Sequence, residues 1–283
     1  MILFMYRKPF SKYIVMIDIH CHILYGLDDG AQNWEESMEM AKIAEEEGIE
    51  KIVATPHLFR GNIIFKDFGI IEEKRKELSQ ALKENNIDLE ILTGAEVHIS
   101  HNLIDEIKRN RKNLVLGQSS YMLVEFPADH IFSGVKNLFF ELMSEGITPI
   151  IAHPERNSVF IHNPSLLYEL IQMGGLAQAN SGSFTGLYGR RVEEAVLHFL
   201  ELNLIHFIAS DGHNPRSSAP WLLEALSKAE AKKGKENAYM LVNDNPRAVL
   251  SDEEISYLPD PVDPKQRERS FKIKIPKIFG HKK

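Results

Sequence analysis

Histidine and carboxylate recur in five short clusters along this 283-residue chain: DIHCH (Asp18 to His22), TPH (Thr55 to His57), GAE (Gly94 to Glu96), AHPER (Ala152 to Arg156) and SDGH (Ser210 to His213). Imidazole and carboxylate are the donors that divalent Zn, Mn and Fe bind. Each cluster follows an apolar run of strand character, and most lead toward a helical pattern. One such cluster means little. Five at the same point of a repeating βα unit describe a metal site assembled at one end of a barrel.

Spacing sharpens this reading. On an extended strand, alternate side chains share a face, so His20 and His22 point one way and Cys21 the other. Asp211 and His213 alternate in the same manner. Small residues before Glu96 allow close approach, and a bridging carboxylate suits a multi-metal site. Glu125 ends the apolar run YMLVEFP, where a buried carboxylate needs a metal or an arginine as partner. The adjacent acids of DDG, Asp28 and Asp29, are common turn formers, yet the loop could place one of them on an ion. His98 shares the face of Glu96 and reads as a structural neighbour. Nine candidate ligands result: His20, His22, Asp29, His57, Glu96, Glu125, His153, Asp211 and His213. A zinc ion takes about three or four protein ligands, so nine suit two or three ions. Clustered divalent ions favour hydrolysis of phosphate esters. Arg156 and Arg216 lie just beyond ligand motifs, where a guanidinium fork could clamp phosphate oxygens. The other histidines, including His206, read as surface or packing residues.

The elements that must position these groups alternate. Strands are expected at Ile14–His20, Ile49–His57, Ile87–Val97, around Leu114–Leu116, Tyr121–Phe126, Ile147–His153, Gly175–Asn180 and Leu204–Ser210. Helices are expected over 34–48, 67–85, 101–109, 131–145, 165–174, 188–203, 218–233 and 236–250. This order argues for a parallel sheet, and roughly seven units closing on themselves would make a barrel with ligands at the strand C-terminal ends.

Composition excludes several classes. Hydrophobic content of 43% and charged content of 26% suit a folded globular protein rather than a disordered chain. No apolar stretch reaches the roughly 18 residues of a membrane span. The single cysteine rules out an internal disulfide and fits a reducing cytoplasm. Cys21 also lacks the arginine six positions on that cysteine-based phosphatases need, since Leu27 stands there. Residues 1–15 are ordered wrongly for a signal peptide, and Met16, directly before IDIHCH, reads as an alternative start. Residues 265–283 hold eight Lys or Arg against Glu268, a net of +7, so the whole-chain −7 leaves about −14 for the rest. That acidic body argues against nucleic acid as a partner. The tail reads as a solvated terminus, or as a weak contact with anionic lipid that would make the protein peripheral to the membrane.

MIDIHCH with DDGA, TPH, GAE, LVEFP, IIAHPERN, NSGSFTGLYGRR (Asn180 to Arg191), SDGHN and NPRAVL together resemble the PHP (polymerase and histidinol phosphatase) superfamily. More closely, they resemble its bacterial CpsB/CapC-type tyrosine phosphatases of capsule and exopolysaccharide synthesis. The likeness runs from Met16 to about Leu250. It implies a single distorted (βα)7 TIM-like barrel over 16–250, preceded by an extension (1–15) and followed by a segment (251–283) ending in the basic tail. It implies two to three divalent ions, Mn first, with Fe or Zn as alternatives. By likeness, His20, His22, Glu96 and Asp211 would hold one ion. Glu96, Glu125 and His153 would hold a second, and Asp29, His57 and His213 a third. Arg156 would bind the phosphoryl group. The arginine of HNPRSSAP, Arg216, is spaced closer to its histidine than in relatives. The implied substrate is a phosphotyrosine protein, a tyrosine kinase of polysaccharide export. Histidinol phosphate as substrate, or a non-catalytic kinase-binding role, are the alternatives.

Overall fold

A computed structural model describes residues 14–61, 68–100 and 102–265. The expectations for residues 1–13 and for the basic tail after Lys265 lie outside these. The order is β1 (Met16–Cys21), α1 (Trp34–Glu47), β2 (Ile49–Ala54), β3 (His57–Leu58), α2 (Gly69–Glu84), β4 (Glu90–Thr93), β5 (Glu96–His98), α3 (Leu103–Leu114), β6 (Tyr121–Glu125), α4 (Val135–Ser144) and β7 (Thr148–Ala152). There follow α5 (Ser158–His162), α6 (Pro164–Gln172), β8 (Leu176–Asn180), α7 (Ser181–Phe184), α8 (Arg190–Glu201), β9 (Phe207–Ala209), α9 (Leu223–Lys233), α10 (Lys235–Met240) and α11 (Asp244–Leu250). The strands form two parallel sheets, β1-β2-β4 and β3-β5-β6-β7-β8-β9. The end of β9 also reaches β1: Asp211 N donates to His20 O (2.8 Å) and His22 N to Gly212 O (2.8 Å).

The strands expected at Ile49–His57 and Ile87–Val97 are each broken in two. Pro56 lacks an N–H for a ladder, and the chain re-forms one residue later as β3. In the second case, a Cβ on Gly94 would lie 2.6 Å from Val53 Cγ1 and 2.9 Å from Leu116 Cδ2, so the chain crosses its neighbours there only as glycine. The strand expected around Leu114–Leu116 is instead the end of α3 and a turn. Leu116 N donates to Tyr121 O (2.9 Å), which closes the turn into β6. The last strand is shorter than expected, and the C-terminal helical stretch is divided into α9, α10 and α11.

Two apolar clusters hold the elements together. Ile17, Ile19, Tyr121, Leu123, Ile150, Leu176 and Phe207 fill one side of the strands. Met122, Val124, Ile151, Ala177 and Ile208 pack on helical residues such as Leu138, Phe139, Leu167, Val196 and Phe199. On β6 the residues Tyr121, Leu123 and Glu125 alternate onto one face, as do Leu176, Gln178 and Asn180 on β8. Each face is therefore apolar where the strand begins and polar where it ends. α1 starts beside the Asp28–Gly30 loop because Asn33 caps it, accepting from Glu36 N (3.0 Å).

His206 enters β9 fully buried, and its Nδ1 accepts from Ala177 N (3.0 Å). Burial pushes its pKa down from 6.5 to about 4. An unfolded chain takes up this proton near pH 6.5, the folded chain only near pH 4. The contribution is thus complete above pH 6.5 and is lost as pH falls through that window, with a full value of about 3 kcal/mol. His206→Asn keeps an acceptor near the Nδ1 position but does not titrate. Urea unfolding at pH 7.5, 6.0 and 5.0 should show a shallower loss of stability for the variant than for wild type; parallel losses would contradict this reading.

Candidate metal centre

The polar strand ends meet. Inward nitrogens of His20 and His22 lie 3.2 Å apart. His20 Nε2 is 3.3 Å from Glu96 Oε2 and 3.2 Å from Asp211 Oδ1. His22 Nε2 is 3.3 Å from both of the same oxygens. These four residues form one group whose donor atoms lie within 4.8 Å of one another, all buried. A second group joins His22, Asp29, His57 and His213, and a third joins His57, Glu96 and Glu125. His57 and Glu96 are direct partners in the β3–β5 ladder. The register is the one β2 and β4 already share, Ala54 opposite Thr93, carried across both strand breaks. His57 turns Nδ1 to Glu96 Oε2 (2.9 Å) and Nε2 to Asp29 Oδ1 (3.3 Å). A neutral imidazole has one lone pair to give, so it can serve one of these groups at a time. His153 reaches the cluster through Glu96, with Nε2 2.8 Å from Oε1.

Three buried atoms in this cluster make no hydrogen bond of good geometry, although they lie 2.9–3.3 Å from neighbouring donor atoms: His57 Nδ1, Glu96 Oε2 and Asp211 Oδ1. Buried polar atoms are nearly always satisfied, and stranding them is costly. Here they converge, and a cation among them would satisfy all three. His153 (φ 32°) and Asp211 (φ 51°) also adopt left-handed backbone conformations. Such strain persists where surrounding structure enforces it, typically at functional sites.

Outer contacts orient the donors. His22 Nδ1 donates to Asp28 Oδ2 (2.7 Å), and His20 Nδ1 to Gln178 Oε1 (2.8 Å), which turns both Nε2 atoms inward. The DDG acids thus divide their work, Asp29 among the donors and Asp28 behind His22. Gly30 permits this, because a Cβ there would stand 2.3 Å from His22 O. Asn180 Nδ2 (2.6 Å) and Arg156 Nη1 (2.8 Å) both donate to Asp211 Oδ2, which leaves Oδ1 for the cluster. The Arg156 guanidinium lies over the Tyr188 ring, 4.2 Å from its centroid. His98 Nδ1 approaches Glu125 Oε2 at 3.3 Å. Cys21 packs away from the cluster with Sγ on Gly212 O (3.6 Å), and burial pushes its thiol pKa up, so it is no thiolate nucleophile. Arg216 is exposed on a turn whose N–H groups are held by Asn214 Oδ1.

Gln178, Asn180, Tyr188 and Arg60 carry no site role in the sequence reading, and of the two DDG acids the sequence leaves open which one faces an ion. For Gln178 and Asn180 a signal existed, since GLAQAN alternates amides on one face near a strand end. Arg60 stands two residues beyond β3. Its Nη1 lies on His57 Nε2, and its side chain is 3.7 Å from both Asp29 Oδ2 and Glu125 Oε2.

Parallel strands that end in clustered imidazoles and carboxylates define a metal-binding α/β protein. The chain belongs to the CpsB/CapC family: the model for capsular polysaccharide synthesis, CpsB/CapC, matches residues 16–251. Tyrosine-protein phosphatase YwqE of Bacillus subtilis (strain 168) is 39% identical over 257 residues, covering 90% of this chain and 99% of the relative. Tyrosine-protein phosphatase CpsB of Streptococcus pneumoniae is 32% identical over 247 residues, covering 84% and 99%. A crystal structure from work on those two proteins, described as unique metal-dependent tyrosine phosphatases, superposes with a TM-score of 0.83 at 38% identity, covering 88% of this chain and 99% of that one.

Without an ion the cluster must be balanced by protons. Burial alone would lower the His20 pKa, but the facing Glu96 and Asp211 carboxylates outweigh it and hold it up at about 10. His22 is held up against burial by Asp28 foremost. Burial pulls Glu96 and Asp211 upward, yet His20 and the other imidazoles keep both well below the usual carboxylate range. A cation binds only the neutral imidazoles, so loading must expel protons. Titrating Mn²⁺ into stripped protein at pH 7, by calorimetry in two buffers of different ionisation enthalpy, should show net proton release and tighter binding at pH 8 than at pH 6. Binding with no proton release would mean that the imidazoles are already neutral.

Proposed function

We propose that this chain hydrolyses phosphotyrosine in proteins, and that its substrate is a tyrosine kinase controlling capsule or exopolysaccharide export. The observation that carries this reading is the buried, poorly satisfied donor cluster, found in a chain that aligns with tyrosine phosphatases over nearly their whole length. The family's description as one of capsular polysaccharide synthesis supports the choice of kinase.

His20, His22, Glu96 and Asp211 would hold one ion. Glu96 and Glu125 would hold a second with His153, and Asp29, His57 and His213 a third. The rule of one lone pair per imidazole supports this division, with His57 on the Asp29 side. Four carboxylates serve the cluster: Asp29, Glu96, Glu125 and Asp211. Three divalent ions would leave two positive charges in excess, which matches a phosphate dianion. Mn²⁺ is our choice, with Fe or Zn as alternatives. When bound, such ions supply a water-derived nucleophile at neutral pH and offset charge on the phosphoryl and leaving oxygens. Arg156 would meet the equatorial oxygens with a preset fork, its plane fixed by Tyr188 and one end anchored on Asp211. Arg216 would meet substrate at the rim. We also read the two sheets as one distorted seven-unit barrel over 16–250. The continuous chain through both strand breaks and the β9–β1 hydrogen bonds support closure. Among the described residues, no helix is long and apolar enough to cross a membrane.

Metal-loaded protein should turn over a phosphotyrosine peptide far faster than histidinol phosphate. The reverse preference would reassign it to small phosphomonoesters, and no turnover of either would favour a binding role. Arg156→Ala should retain its ions but lose roughly 10²–10³ in single-turnover rate, as for removal of one preorganised donor. A wild-type rate would show that Arg156 does not touch the phosphoryl group.

A further inference from the structure

We infer that Arg60 is a second phosphate-binding guanidinium, placed across the donor cluster from Arg156. This rests on the phosphatase reading above. Arg156 approaches from the Asp211 side. Arg60 approaches from the other side, beside His57, Asp29 and Glu125. Phe59 has φ 62°, an outlier for a bulky residue, and Gly61 has φ 56°. Two left-handed residues flank Arg60, whose side chain reaches His57, Asp29 and Glu125. Local strain of this kind needs a compensating role. A surface ion pair is a weak one: the Arg60 side chain is 43% exposed, that of Asp29 59%, and both carboxylate contacts are at 3.7 Å.

Ion loading gives the arginine its task. Asp29, His57 and Glu125 are all candidate ligands, so ions held by them would compete with Arg60 for those contacts. Arg60 would then offer a permanently charged, half-exposed fork to a phosphate dianion at the rim of the site. Guanidinium is suited to that anion because its N–H groups match paired phosphate oxygens. Arg216 satisfies the same chemical type, but it is exposed on its turn, and no described side-chain contact links it to the cluster. Among the described residues, Arg156 and Arg60 are guanidiniums that contact candidate ligands directly. Together they would hold the phosphoryl group from opposite sides while its tyrosine lies outward.

The test uses the full-length, Mn²⁺-loaded protein and the variants Arg60→Ala and Arg60→Lys. Three quantities are read: ions per chain by mass spectrometry, affinity for inorganic phosphate by calorimetry, and kcat and KM on a phosphotyrosine peptide. Arg60→Ala should keep the wild-type ion count, bind phosphate roughly 10- to 100-fold more weakly, and lose a similar factor in kcat/KM, as for one charge-assisted hydrogen bond. Arg60→Lys should recover part of both, because it restores charge without the fork. Phosphate affinity equal to wild type in Arg60→Ala would overturn the inference, whatever the peptide result. An ion count higher in Arg60→Ala than in wild type would also overturn it, by showing that the guanidinium is a stand-in for a cation. If wild type ignores the peptide while phosphate binding still depends on Arg60, the phosphatase reading fails and this assignment stands.

Discussion

The structure depends on a shortage of positive charge at one buried point. Glu96 Oε2 and Asp211 Oδ1 lie 2.9–3.3 Å from imidazole nitrogens of His20, His22 and His57 without a hydrogen bond of good geometry. Carboxylates in such a place are tolerated only when something cationic joins them. Protons on His20 and His22 can do this in part, and divalent ions can do it fully. Much of the surrounding architecture is explained by that requirement. Asp28 and Gln178 hold the outer nitrogens of the two imidazoles, while Asn180 and Arg156 occupy the outer oxygen of Asp211. Each outer contact takes up a donor or acceptor that would otherwise compete for the inner space.

Backbone geometry serves the same end. The pairing keeps one register across the breaks at Pro56 and Gly94, with Ala54 opposite Thr93 before them and His57 opposite Glu96 after them. The left-handed residues His153 and Asp211 redirect the chain where β7 and β9 end, so that a ligand leads each following turn. The glycine at position 30 lets a carboxylate loop pack against the β1 histidines. Stability is thus supplied by the apolar clusters beneath, while His153 and Asp211 carry left-handed backbone at the site itself.

The sequence made the β1 donors legible because their spacing follows strand periodicity. HxH places both imidazoles on one side at the end of β1, whereas Asp211 and His213 lie past the end of β9, with Asp211 left-handed (φ 51°), so the turn and not strand alternation brings that pair to the cluster. Strand alternation correctly separated Cys21 from its neighbours. What period alone could not show was continuity. IEKIVATPH and IDLEILTGAEV look unbroken because their apolar pattern survives a one- or two-residue interruption. Leu114–Leu116 looks like a strand by composition, but the helix before it runs on to Leu114. Outer partners were hidden for another reason. Asp28 and Asp29 are chemically identical in sequence, and only the turn decides which reaches inward. Arg60 carries no motif at all; it follows the positive φ at Phe59, a feature that a phenylalanine gives no reason to expect.

The central claim is that these buried donors exist to hold ions that perform the chemistry. The most direct measurement is a paired titration. Chelator-stripped protein is given Mn²⁺ in steps, and ions bound per chain and phosphotyrosine-peptide turnover are measured on the same samples. The account predicts no turnover in the metal-free protein, and turnover that rises only once the buried His20, His22, Glu96 and Asp211 group and at least one neighbouring group are filled. Full turnover by protein shown to contain no metal would contradict it.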